Sequence, residues 1–157
     1  MALPEPRSAA QRKADTLAKL SAPAADIWVA SASISDAGVA QPYLVPLSLA
    51  WVDGRIVLAL EADSRTARSL PVGTQTRLAL GPTRDVVMID ATVVQVASTA
   101  DTAAEIADAY AAQSDWDPRT AGPGFVYMLL TPKRIQAWRE VNELSGRALM
   151  RDGEWLV

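Results

Sequence analysis

The sequence predicts a mainly β domain: a closed antiparallel barrel of about six strands, with helices at its ends and in its long connections. Three observations point there. Apolar residues alternate with period two, as in Tyr43, Val45, Leu47, Leu49 and Trp51; turn signals such as Asp53-Gly54 separate consecutive strands; and helical periodicity is confined to the N-terminus and the longer connections.

The elements follow in order. Ser8 to Leu20 reads as an amphipathic helix with Ala10, Ala14, Leu17 and Ala18 on its apolar side, and Ser21-Ala22-Pro23-Ala24 breaks it. Ile27 to Ser33 is a first strand, and Asp36-Ala37-Gly38 a turn. The strand from Tyr43 passes through the Asp53-Gly54 hairpin into Arg55 to Glu61. Ser64 to Leu70 is a short helix capped by Asp63 or Ser64, ended by Pro71-Val72-Gly73. Thr76 to Leu80 and the long Val86 to Val96 are further strands, and Thr102 to Gln113 is helical. After a loop with Trp116, Pro118, Gly122 and Pro123 comes a last strand, Phe125 to Thr131, and then a helical or extended tail over Lys133 to Leu144. The expected division is an N-terminal helix over 1–24 and a barrel domain over 25–157, with a helical insertion near 100–115.

At 157 residues, half of them hydrophobic, the chain fits one globular domain with a real core. Its longest apolar runs, Val45 to Val52 and Phe125 to Leu130, are too short to cross a bilayer, so no membrane partner is expected. The net charge of −3 argues against nucleic-acid binding, which needs a basic surface to displace counterions. Arg7, Arg12, Lys13 and Lys19 are mixed with Glu5 and Asp15 and no continuous apolar stretch, which argues against a secretory signal and for a cytoplasmic location.

The chain has no His and no Cys. That removes thiolate zinc sites, cysteine nucleophiles, the Ser-His-Asp arrangement and most catalytic zinc sites. Lys13, Lys19 and Lys133 sit in no recognisable motif. No catalytic residue and no metal ligand is expected, and any chemistry must come from a bound cofactor.

Four segments are candidates for binding. In Glu61-Ala62-Asp63-Ser64-Arg65-Thr66-Ala67-Arg68-Ser69-Leu70 a strand runs into a helix start carrying hydroxyls and two arginines three apart, which suits a phosphate; a solvated turn with exposed arginines is the plainer alternative. In Gln41-Pro42-Tyr43-Leu44-Val45-Pro46-Leu47-Ser48 a proline inside a strand removes a ladder donor, which suits an edge, or a gap that a flat heteroaromatic ligand enters. Arg84-Asp85 opens a strand at the barrel mouth, as a surface pair or part of a ligand rim. Trp138, Trp155, Arg139, Arg147 and Arg151 crowd the C-terminal end, as interface anchors or core.

Taken in this order, Gln41 to Ser48, the hairpin Trp51-Val52-Asp53-Gly54, Ser64-Arg65-Thr66-Ala67-Arg68 and Arg84-Asp85-Val86-Val87-Met88-Ile89 resemble the pyridoxamine 5′-phosphate oxidase-like FMN-binding split β-barrels and their deazaflavin oxidoreductase relatives, from Asp26 to the C-terminus. The resemblance implies a six-stranded antiparallel split barrel and a homodimer with cofactor at the subunit interface. Val45, Pro46, Leu47 and Ser48 would line the flavin ring, and Ser64, Arg65, Thr66 and Arg68 would hold the phosphate. Thr66 stands where such proteins often have Lys, and Arg68 supplies a cation one turn on. Asp85 falls near a position that contacts the cofactor through an amide. True pyridoxamine phosphate oxidases carry Arg-x-His near the C-terminus; here the run is Arg147-Ala148-Leu149, which argues against vitamin B6 oxidation, and the absence of His excludes His-ligated haem. The expected function is an FMN-binding oxidoreductase acting on a small molecule. The alternatives are a deazaflavin (F-420)-dependent reductase, whose longer tail needs a basic groove that Arg65, Arg68 and Arg84 would begin, or a non-catalytic cofactor-binding or sensing protein.

Overall fold

The strands pair in an order that closes the sheet on itself. A computed structural model describes residues 1–157. Its strands are β1 (Asp26–Ile34), β2 (Ala40–Val52), β3 (Arg55–Glu61), β4 (Gln75–Leu80), β5 (Val86–Ser98), β6 (Phe125–Trp138), β7 (Ala148–Arg151) and β8 (Glu154–Trp155). The order is β3-β2-β1-β4-β5-β6-β7-β8, every pairing is antiparallel, and β3 also pairs with β6. That last pairing makes a closed six-stranded barrel of β3, β2, β1, β4, β5 and β6, with β7 and β8 as an appendage. The helices are α1 (Ala9–Leu20), α2 (Arg65–Ser69) and α3 (Ala104–Ser114). None is long and apolar enough to cross a membrane.

Alternation fills the barrel. Ile27 and Val29, Leu49, Ile56, Leu58 and Leu60, Leu78 and Leu80, and Val87, Ile89, Ala91 and Val93 join one buried cluster with Met128, Leu130 and Ile135. The opposite faces of β2, β3 and β6 present Ala50, Val57, Ala59, Tyr127 and Leu129 to a second cluster, which α3 covers with Ala107 and Tyr110. The β2–β3 hairpin turns on Asp53 and Gly54 at φ 49° and 74°, both left-handed, as a two-residue primed turn requires.

Three expectations are corrected. The strand ending at Thr131 continues through the buried Pro132 to Trp138. A register shift between Asp90 and Ala91, which pair with Arg134 and Pro132, leaves Lys133 as the extra residue, so a bulge accommodates the missing N–H of the proline. Beyond Leu144, where the sequence reading assigned no element, the chain forms the β7–β8 hairpin on Asp152-Gly153, the same dipeptide signal as Asp53-Gly54, with φ 52° and 81°. Third, α1 buries Arg12, Thr16 and Leu20, while Ala10, Ala14 and Ala18 are exposed.

The reason for the rotated helix is charge. Arg7 contacts Glu143 at 2.8 Å, Asp15 at 2.7 Å and Asp85 at 3.2 Å; Lys19 reaches Asp85 at 2.9 Å, and the Arg139 backbone N–H donates to Glu143 at 2.8 Å. These contacts and the fully buried Leu20 outweigh three methyl groups, because an alanine side chain removes little apolar area from water. The network ties the N-terminus to the β4–β5 turn and the segment before β7. Gly81 lets that turn close: its φ is 83°, and a side chain there would overlap the Asp85 carbonyl.

Glu143 is 3% exposed, and its hydrogen bonds from Arg7 hold its carboxyl down at about 2, below the usual 4.5. The folded carboxyl is the stronger acid, so its stabilisation is full above pH 4.5 and is lost as pH falls toward 2. Glu143→Gln is expected to destabilise the protein by about 2–3 kcal/mol at pH 7 and by much less at pH 3. Urea denaturation at the two pH values checks this, and an equal deficit at both would contradict it.

Candidate functional site

The barrel is open along one seam. β2 pairs with β3 only where Leu49 to Val52 oppose Leu58 to Arg55; beyond Leu58, β3 follows β6, with Leu60 opposite Val126 and Glu61 opposite Phe125. From Ala40 to Ser48, β2 pairs with β1 alone. In an antiparallel strand alternate residues direct both backbone groups to the same side. The Leu49 N–H donates to the Ala25 carbonyl on the β1 side. By parity Leu47, Val45 and Tyr43 also face β1, and Ser48, Pro46, Leu44 and Pro42 face the seam. Both prolines therefore sit where their absent N–H would have pointed into the gap.

The seam holds a cavity of about 660 Å³. Tyr43, Val45, Pro46, Leu47 and Ser48 form its β2 wall; Ala59, Leu60 and Glu61 of β3 form the opposite one. Tyr110 of α3, Trp116 and Phe125 close it with an aromatic wall, and Asp26 lies at the Ser48 end. Tyr110 meets Trp116 and Tyr127 edge-to-face at centroid distances of 6.3 and 5.5 Å, and Trp116 meets Phe125 at 5.3 Å. The Tyr110 hydroxyl donates to the Ser48 carbonyl at 3.4 Å, and burial pushes its phenol up to about 12, so it stays a neutral donor.

Ser64, Arg65 and Thr66 border the same cavity at the start of α2. The Ser64 side chain accepts from the Ala67 N–H, which fixes the turn. The Arg65 guanidinium lies 4.4 Å over the Tyr43 ring and in no ion pair, so its donors remain available. Arg68 lines a neighbouring cavity that shares Arg65.

Val45, Pro46, Leu47, Ser48, Ser64, Arg65 and Thr66 thus meet around one cavity. Asp85 does not. Its carboxylate is engaged by Arg7, Lys19 and Arg139 at the other end of the barrel; burial pushes its pKa up, but those cations hold it below the usual carboxylate range. Arg84 pairs with Glu140 at 2.6 Å and joins no groove with Arg65. Of the C-terminal aromatics, Trp138 stacks with Arg147 and Trp155 with Lys13, within the chain. The sequence reading missed Asp26, Tyr43, Tyr110, Trp116 and Phe125 as site residues. Tyr43 lay inside a segment already singled out; the aromatic wall comes from residues remote in the chain, and no local pattern marks it.

No family model matches the sequence, and no curated protein does. Solved structures do match. An F-420 reductase superposes with TM-score 0.55 at 11% identity, over 75% of this chain and 93% of that one. A pyridoxamine 5′-phosphate oxidase-related, FMN-binding protein from Nostoc punctiforme PCC 73102 gives TM-score 0.50 at 14% identity, over 82% and 78% of the two chains. A haem-binding protein from Mycobacterium smegmatis gives TM-score 0.56 at 18% identity over 98% of this chain, which spans 60% of its length. At these identities what is shared is the fold, the split barrel of pyridoxamine-phosphate-oxidase-like proteins.

The aromatic wall rests on the packing of Tyr110 rather than on its one long hydrogen bond. Tyr110→Ala is expected to cost about 3–5 kcal/mol of stability, and Tyr110→Phe about 1 kcal/mol or less. Urea denaturation of the two variants checks this, and an equal loss in both would move the weight onto the hydroxyl.

Proposed function

We propose that the protein binds a flavin-type cofactor, FMN or a deazaflavin (F-420), in the seam between β2 and β3 and works with it as an oxidoreductase in a homodimer. The observation that carries the reading is the unpaired edge of β2, backed by apolar and aromatic walls and ending on an unneutralised arginine. A flat heteroaromatic ring has the matching chemistry. Its faces suit Leu47, Trp116 and Phe125, and its polar rim suits the Pro46 carbonyl and the Ser48 backbone groups that face the gap. Arg65, with the Ser64 and Thr66 hydroxyls, suits a phosphate. The bound cofactor would supply hydride or electron transfer. The chain's part would be to hold the ring, exclude water and anchor the tail.

Two of the neighbours, an F-420 reductase and an FMN-binding protein, support a flavin-type cofactor, while a third is a haem-binding protein. His- or Cys-ligated haem is excluded because the chain has neither residue. Vitamin B6 oxidation is disfavoured because Leu149 of Arg147-Ala148-Leu149 is fully buried in the main core and meets no substrate.

The dimer reading is supported by an apolar patch beside the cavity. Trp28 and Leu44 are 46% and 58% exposed, and with Ala30, Ala79 and Met88 they line a shallow hollow on the outer face of β1, β2, β4 and β5. Trp28 pairs with Pro46, so the patch continues into the cavity rim, and a second copy seated there would cover the open side of the cofactor.

Titration with FMN and with F-420, followed by cofactor fluorescence, is expected to show saturable binding of one of them. Arg65→Ala is expected to weaken that binding roughly 10- to 100-fold through the lost charge-assisted hydrogen bonds. Absence of binding to both cofactors would overturn the reading, and unchanged affinity in the variant would move the phosphate elsewhere. Trp28→Arg is expected to turn a dimer into a monomer in sedimentation and to lower cofactor affinity with it; a wild-type protein that sediments as a monomer at micromolar concentration would refute the dimer.

A further inference from the structure

Arg65 marks one end of the seam; the rest of its polar lining is acidic and lies beside aromatic rings. Asp26 of β1 stands directly opposite Ser48 in the β1–β2 ladder and lines the cavity there. Glu61 reaches the same cavity from β3, and the β2–β3 register, continued past its last pair of Leu49 and Leu58, sets it across the gap from Pro46. The Ser48 hydroxyl donates to Asp26 at 3.2 Å, and the Tyr110 hydroxyl donates to the Ser48 carbonyl at 3.4 Å. Neither hydroxyl has a proton left for a ligand, so both present lone pairs. Phe125 pairs with Glu61 in the β3–β6 ladder and packs against Trp116, and both rings line the cavity. Aromatic faces attract cations, as carboxylates do. The charged lining is Asp26, Glu61 and Arg65, so two carboxylates stand against one guanidinium. A cofactor phosphate held by Arg65 makes the loaded seam more anionic still.

We propose that the small-molecule substrate enters this part of the seam through a cationic N–H group, an ammonium or an amidinium, received between Asp26 and Glu61 beside Trp116 and Phe125. The inference rests on the flavin-type reading of the seam. The N–H edge of a flavin-type ring has related donor chemistry, but it is neutral, and the Pro46 carbonyl and the Ser48 backbone suffice for it. Two carboxylates exceed that need and leave negative charge that only a cation neutralises. An anionic substrate is repelled by the same groups. Both carboxylates are exposed, so each contributes a few-fold in affinity and salt screens the contribution.

The test is calorimetric titration of the cofactor-loaded protein with benzamidine, benzamide and benzoate, three planar molecules of similar shape that differ in charge. Benzamidinium is expected to bind about ten-fold more tightly than benzamide, and benzoate more weakly than either. Asp26→Asn and Glu61→Gln are each expected to lower benzamidinium affinity about three-fold while leaving benzamide within about two-fold, and the double variant to erase the margin. Asp36→Asn, in the exposed β1–β2 turn and outside the cavity, should change neither. Added salt should shrink the benzamidinium margin and leave benzamide unaffected. The inference is overturned if the three probes bind alike or not at all. It is also overturned if the two variants weaken the cofactor and spare benzamidinium, which would assign these acceptors to the ring. A bound cofactor with no charge preference among the probes sinks this inference alone; failure of both FMN and F-420 to bind the wild type sinks the flavin reading, and this inference with it.

Discussion

The short pairing between β2 and β3 is the constraint on which the site depends. β3 is shared: its outward register fits β6 along its whole length, from Ile56 opposite Leu130 to Glu61 opposite Phe125, and that contact closes the barrel. The other edge of β3 pairs with β2 only from Arg55 to Leu58, and β2 parts from it beyond that point. The parting of β2 from β3 opens a seam, and the seam exposes a row of backbone groups that must be met by something other than a strand. Pro42 and Pro46 lower the number of orphan donors in that row, and by parity both stand on the open side. The site is thus a consequence of how the sheet closes, with the proline positions matched to it.

Charge is divided between the ends of the molecule. At one end Asp15, Asp85 and Glu143 are used up in holding Arg7, Lys19 and Arg139, which fastens α1 across the barrel. At the seam, two guanidiniums face cavities with no partner of opposite sign. The net charge of −3 does not show which cations are paired, and Asp26 and Glu61 also line the seam cavity. Composition alone therefore argues against a polyanion as large as nucleic acid while leaving room for a small anionic ligand.

What was legible in the sequence is what chain-local physics determines. Alternation along β2 and the Asp53-Gly54 turn each depend on a few adjacent residues and stand where the pattern placed them, and the cap falls on Ser64 of the two residues offered, Asp63 and Ser64. The residues of β2 and α2 that border the cavity lie in those same locally determined segments. The aromatic wall was not, because Tyr110, Trp116 and Phe125 converge from α3, a loop and β6. The face of α1 was misread because alanine periodicity is a weak signal beside ion pairs that reach Asp85 and Glu143, far along the chain. The continuation of β6 was hidden by Pro132, whose cost is relieved by a bulge that no single strand reveals. The β7–β8 hairpin was open to the Asp-Gly rule and could have been found.

The matching folds hold chemically different groups in proteins at most 18% identical to this chain, so the barrel itself cannot choose among them. The choice has to be made by side chains at the seam. Here they divide by polarity: an aromatic and aliphatic chamber along β2, and a chamber of hydroxyls, amide and arginine beyond it. Arg65 belongs to both, held by a ring from the strand that carries the first. The polarity boundary at Arg65, more than the fold, is what distinguishes this seam chemically.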